Sequence, residues 1–154
     1  MRVNSEAVFL KDDSEIKADF VALATPVKPQ AWIKKLSLVH DQQFIKINDY
    51  LETSIPAVFA CGDVARNPQQ VVPRAGVFAV RQAKTLTHNL LAAVYGHEKM
   101  KYKPQKRYLN LIMDGQGKAL ASRGKLFFPN SKIMWKLKNF IDQKFLSKFN
   151  QQFD

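Results

Sequence analysis

Cysteine is almost absent: Cys61 is the sole example in 154 residues. One thiol excludes an internal disulfide, a Cys-x-x-Cys redox couple and the multi-sulfur set of a structural zinc site. Its place in the apolar run Ala57-Val-Phe-Ala-Cys61 predicts a small buried filler rather than a reactive group. The three histidines, His40, His88 and His97, are too dispersed for a metal-ligand spacing. Asp63 and Asp142 give no reason to propose a carboxylate pair for acid–base work. The amino-terminal region has no apolar stretch long enough for a signal sequence or a spanning helix. Internal repeats and low-complexity tracts are missing too. The shortage of cysteine predicts a reducing, cytoplasmic setting. Six glycines and seven prolines against 46% hydrophobic residues argue against disorder. A chain of this length can bury about 68–70% of its unfolded surface, enough for one core.

What is present centres on Thr53-Ser-Ile-Pro-Ala-Val-Phe-Ala-Cys-Gly-Asp63. The short apolar run ending in Gly62-Asp63 predicts a buried strand over 57–61 that runs into a tight turn, with a carboxylate just past the strand's carboxyl end. Open α/β sheets bind ligands at that edge. An acidic group there accepts hydrogen bonds from a sugar or polyol hydroxyl, and the glycine permits close backbone approach. A strand followed by an ordinary Gly-Asp turn would read the same way. Downstream, Pro73-Arg-Ala-Gly-Val-Phe-Ala-Val-Arg-Gln-Ala83 opens a helical pattern that continues through Leu86, Leu90, Leu91 and Val94 to Gly96. Its first turn would present unpaired N–H groups and the positive end of the helix dipole to an anion. Val77, Val80 and Leu86 are expected to pack that helix against a sheet.

Upstream, the sequence predicts a hairpin around residues 12–15 and a buried strand over 20–24. Asp114-Gly115, between Leu109–Met113 and residues 118–122, reads as a second hairpin. Gly115-Gln-Gly117 with Ala121 behind it is therefore no phosphate loop, since no βαβ unit follows.

Thr53, Gly62 and Asp63 resemble the second FAD-binding motif of the pyridine nucleotide-disulfide oxidoreductases, whose aspartate binds the ribityl chain of the flavin. The likeness extends over nearly all of the chain. In that family a related hairpin precedes a strand ending in Ala-Thr-Gly, matched here by Ala24-Thr25 with Pro26 in the third place. Proline has no N–H, so a backbone contact to cofactor is lost there. Trp32, Leu36, Leu38, Asp41 and the alternating Phe44-Ile-Lys-Ile-Asn48 fit the segment that returns from the nucleotide domain to the flavin domain. The resemblance implies FAD as cofactor, with NAD(P)H in the complete enzyme. It implies cofactor contacts at Thr25, Gly62, Asp63, Ala75, Gly76, Val77 and Phe78, the last four mostly through backbone. No catalytic side chain and no metal ligand follows from it.

The expected fold is α/β: part of a two-domain FAD/NAD(P)-binding fold with a small α+β cap at the carboxyl end. Residues 1–30 would be a remnant of the pyridine nucleotide domain, 31–98 a returning FAD-domain segment and 99–154 the cap. Neither Gly-x-Gly-x-x-Gly motif of a complete enzyme occurs. The resemblance therefore implies the carboxyl-terminal part of a larger flavoprotein, not catalytic alone, partnered by a missing amino-terminal half or a complementary chain. The parent reaction would carry hydride from NAD(P)H to FAD and then electrons to a quinone or another acceptor.

The net charge of +11 has its own reading. Ile133, Leu137, Phe140, Ile141, Phe145 and Phe149 repeat at helical spacing among Lys132, Lys136, Lys138, Lys144 and Lys148, which predicts an amphipathic terminal helix. Either its apolar stripe packs on the flavin domain, or the helix attaches to an anionic membrane surface, peripheral at the inner membrane face. Nucleic acid is disfavoured, because no recognised binding motif accompanies the charge. The alternative to an oxidoreductase part is a non-catalytic basic module that binds a membrane or a partner.

Overall fold

The computed structural model describes residues 2–4, 6–22 and 27–150. Among the described residues helices and strands are mixed, with three small three-stranded sheets and two long helices. The first sheet is an antiparallel meander of β1 (Arg2–Val3), β2 (Ala7–Phe9) and β3 (Glu15–Lys17). The expected hairpin is there, and the carboxylate of Asp12 closes its turn by accepting from the Ser14 N–H at 3.2 Å and hydroxyl at 2.7 Å. Of the buried strand expected over 20–24 only residues 20–22 are described; they join no strand among the described residues, and Phe20 is 85% exposed. An apolar run becomes a strand only through a ladder, and no neighbouring strand offers one among the described residues. Residues 23–26, Thr25 included, lie outside the described residues.

A 3-10 turn at Ala31–Lys35 buries Ile33 completely and leads to the second sheet. There β4 (His40–Asp41) pairs antiparallel with β5 (Phe44–Lys46), and β6 (Ala65–Arg66) joins β5 in parallel, with Ile45 opposite Ala65. Ile33, Ile45, Ile47, Leu51, Ala60, Ala65 and Tyr102 form the core. An ion pair of 2.5 Å between Arg66 and Asp41 crosses this sheet.

The run 57–61 departs from expectation. Instead of a sheet strand it makes one antiparallel bridge, Glu52 to Phe59, closed by Thr53 N–H to Val58 C=O at 2.8 Å and Ala60 N–H to Leu51 C=O at 3.0 Å. Ala60 is buried and Cys61 half-buried, while Val58 is exposed. The chain doubles back at residues 54–57, so one edge of the run pairs with its own turn. No strand meets the opposite edge among the described residues.

Helix α1 (Gly76–Tyr95) has the expected bounds, and Gly96 ends it in the left-handed region at φ 72°. Its buried face is Phe78, Gln82, Thr85, Asn89 and Ala92, at the 3.6-residue period but largely polar. Of the three side chains expected to pack it, Leu86 reaches the core, whereas Val80 is exposed. Asn89 is completely buried and bridges two loops: its Nδ2 donates to Tyr50 C=O at 2.7 Å and Met100 C=O at 2.9 Å, and its Oδ1 accepts from Met100 N–H at 2.7 Å.

The third sheet is an antiparallel meander of β7 (Leu109–Met113), β8 (Ala119–Arg123) and β9 (Leu126–Ser131). Asp114 Oδ1 accepts from the N–H groups of Gln116 and Lys118, which makes the Gly115-Gln-Gly117 stretch a hairpin turn, as expected. Helix α2 (Lys132–Asn150) lies on this sheet and turns Met134, Trp135, Lys138 and Asn139 towards the less exposed side. Its apolar stripe is not packed away: Ile133 is 71% and Phe140 62% exposed, with Leu137, Ile141, Phe145 and Phe149 open as well. No helix among the described residues is long and apolar enough to cross a membrane.

Candidate functional site

Gly62–Val64 form a single 3-10 turn between the 57–61 run and β6. Gly62 sits at φ +70°, a conformation an L side chain adopts only with strain, and this lets its N–H point at α1. There it donates to Gln82 Oε1 at 2.6 Å, a bond between residues twenty apart that fixes the Gly-Asp turn against the helix. Arg74, just before α1, closes the other side: its Nη1 donates to Asp63 C=O at 2.6 Å and to Ala65 C=O at 3.3 Å. Its guanidinium lies 3.4 Å from the centroid of the Phe44 ring. Burial pulls the Arg74 pKa down, opposed by the Asp63 charge.

These contacts leave a cleft of about 40 Å³ between the second sheet and the start of α1. Gly62, Asp63, Ala75 and Phe78 line it, with Gln70, Arg74, Gln82 and Tyr102. Gly76 and Val77 do not line the cleft and form the first helical turn beside it. The ring of Phe78 is buried and meets the Tyr108 ring edge-on at 5.3 Å, so its side chain serves the core. Asp63 itself is exposed, and its carboxylate accepts no hydrogen bond among the described residues. Thr25 lies outside the described residues.

The amino end of α1 has no side-chain cap at Ala75 and no acidic residue in its first turn, and a Cβ added at Gly76 would meet nothing within 4 Å. The positive end of the helix is thus open to an anion. An acceptor carboxylate at the lip, unpaired polar atoms inside and an uncapped helix end outside are the chemistry a polyol-bearing flavin needs, so the residues fit FAD. The cleft's volume has room for a slender hydroxyl-bearing chain.

Sequence reasoning missed Gln70, Arg74 and Gln82. Gln82 and Asn89 carry a signal that the pattern contains: polar residues at 82, 85 and 89 share the helix's buried face with Phe78, where only a partnered amide is stable. Arg74 and Gln70 have no such periodicity. Cys61 is half-buried, and burial raises its thiol pKa, in keeping with a filler. No group of three or more potential metal ligands occurs among the described residues.

Comparison with known proteins points the same way. Over 61 residues the chain is 36% identical to a monodehydroascorbate reductase, seedling isozyme, of Cucumis sativus, covering 40% of this chain and 14% of that protein. Over 62 residues it is 32% identical to the nitrite reductase [NAD(P)H] of Bacillus subtilis (strain 168), covering 40% of this chain and 8% of the relative. The assimilatory nitrate reductase electron transfer subunit of the same bacterium is 30% identical over 63 residues, 41% of this chain and 8% of that protein. The chain thus spans only about a seventh or less of the length of these relatives. The family described as pyridine nucleotide-disulphide oxidoreductase matches residues 1–83, which contain the Gly-Asp turn, the cleft-lining residues up to Gln82 and the start of α1; with just over half of its length matched, the chain belongs to that family.

Proposed function

We propose that this chain supplies the polyol-binding turn and the flavin-facing helix end of an FAD-dependent NAD(P)H oxidoreductase. One observation carries this reading: the hydrogen bond from Gly62 to Gln82 ties the Gly-Asp turn to α1, so that Asp63 lines a cleft with Ala75 and Phe78, beside the first helical turn at Gly76 and Val77. The Asp63 carboxylate would accept hydrogen bonds from the ribityl hydroxyls. The N–H groups at Gly76 and Val77, with the helix dipole, would favour negative charge on the adjacent ring edge by about 0.3–1 kcal/mol. When bound, FAD supplies the redox chemistry, taking hydride from NAD(P)H and passing electrons to a quinone or another acceptor. In this reading residues 1–30 belong with a pyridine nucleotide domain, 31–98 with the FAD domain and 99–154 with a cap.

The dinucleotide-binding glycine turns would come from a complementary chain or segment. The Phe59 N–H and C=O on the outer edge of the 57–61 run make no backbone hydrogen bond among the described residues, which supports strand addition there. Purified protein titrated with FAD tests the reading by absorbance and fluorescence. Asp63→Ala should weaken binding about tenfold or more, as loss of a charged acceptor does. Absence of flavin binding in both proteins, with and without the complementary half, refutes it.

A second reading is favoured by the exposed apolar stripe of α2 with its neighbouring lysines. Such a helix can lie in the headgroup boundary of an anionic membrane, where each lysine near the surface adds about 1 kcal/mol. Cosedimentation with phosphatidylserine vesicles that fades with salt, in protein free of flavin, would support this reading.

A further inference from the structure

Two buried polar atoms in the cleft have no hydrogen-bond partner among the described residues: the Tyr102 hydroxyl and Gln70 Oε1. Tyr102 is only 7% exposed. Such atoms are rare in folded proteins, because each loses its water without compensation. Gln105, whose amide is also unpartnered, does not line the cleft.

Both groups are held in place through Asp49. The Tyr102 N–H donates to Asp49 C=O at 2.8 Å. Gln70 Nε2 donates to Asp49 Oδ1 at 2.8 Å, beside Asn67 Nδ2 at 2.9 Å. That bond also settles the amide's orientation, since a flipped Gln70 would set its oxygen against a carboxylate. Gln70 Oε1 can only accept. Tyr102 can donate. The Tyr102 oxygen can also accept, but a group that takes up the Tyr102 proton as well must accept one hydrogen bond and donate another. A carbonyl would leave Gln70 unpaired, an ammonium would leave Tyr102 without an acceptor, and a methyl would serve neither. An alcohol hydroxyl serves both, and a cleft of about 40 Å³ has room for one on a slender chain.

We propose that Tyr102 and Gln70 form a second hydroxyl-binding point for the polyol chain of the flavin, inside the cleft whose lip carries Asp63. The inference rests on the flavin reading above and adds two binding residues to it. A water molecule has the same donor–acceptor chemistry and is the competing occupant.

The test compares riboflavin with lumiflavin, which has the same ring with a methyl in place of the ribityl chain. Fluorescence titrations use the full chain, with its complementary half where flavin binding needs it. Tyr102→Phe should weaken riboflavin about 3- to 10-fold, the worth of one neutral hydrogen bond, and leave lumiflavin unchanged. Gln70→Met should behave likewise, and stands in if Tyr102→Phe does not fold. Without ligand, Tyr102→Phe should melt at the parent temperature or higher, because it removes an unpaired hydroxyl. Equal riboflavin affinity in parent and variants overturns the proposal and spares the flavin reading. So does a lower melting temperature with unchanged riboflavin affinity, which is the result for a water only. Equal weakening of both flavins assigns the effect to the ring or the fold and also overturns it. If the parent binds neither flavin, the flavin reading falls, and this inference with it.

Discussion

Truncation of Asn89 to alanine should destabilise the protein by about 3 kcal/mol or more. The side chain is 0% exposed and makes three hydrogen bonds, to Tyr50 C=O and to both the C=O and N–H of Met100. Alanine leaves three part-buried backbone groups without this partner, each costing about 1–3 kcal/mol where water does not reach it, and water entering the vacated space recovers part of that. Against a total stability of about 5–15 kcal/mol the loss is large. At about 2–4 °C per kcal/mol for a chain of this size, melting should fall by about 6–12 °C. Urea titration followed by circular dichroism measures it. The neighbouring His88, exposed and bonded to the Glu98 carbonyl at 3.0 Å, is the control, and His88→Ala should change stability by less than about 1 kcal/mol. Because Asn89 and Gln82 share the buried face of α1, Asn89→Ala should also weaken flavin binding by loosening the hold on Gly62. If Asn89→Ala lies within about 1 kcal/mol of the parent, the bridge it makes contributes little and the reasoning from buried unpaired groups fails here.

Gly62→Ala should cost about 1–2 kcal/mol through its positive φ rather than a clash, since the added Cβ would sit 3.5 Å from Ala79 Cβ, an ordinary contact; unchanged melting would refute that. The Lys99 ammonium, bonded to Glu52 at 2.7 Å, holds the Glu52 carboxyl below its ordinary value of 4.5. Its contribution is therefore complete above the unfolded-state value and lost as pH falls through the lower folded value. Glu52→Gln should flatten that acid limb of the stability profile, and an unchanged limb would exclude the pair as its source. Burial raises the Cys61 thiol pKa, so iodoacetamide at pH 8 should label it more slowly than free cysteine; equal rates would contradict the packing. Replacing Phe140 and Phe149 with glutamate should abolish vesicle binding and leave flavin binding intact, and retained vesicle binding would remove α2 from the membrane reading.

Elements governed by near neighbours were legible in the chain itself. The hairpins at Asp12 and Asp114, the bounds of α1 with its terminal Gly96 and the amphipathic α2 follow from turn carboxylates, a glycine stop and a 3.6-residue period, which act over a few residues. Gly62-Asp63 was likewise visible as a turn. Tertiary structure alone decided that, among the described residues, 20–22 stay unpaired and the 57–61 run makes a single bridge, because an apolar run carries no mark of whether a partner strand is available. It also decided that Gln82 grips Gly62, that Arg74 lies over Phe44, and that Tyr102 and Gln70 meet one cleft with their polar atoms unpaired. Those facts join residues about 20 to 30 positions apart, and what a buried polar group bonds to depends on which distant segment folding brings beside it.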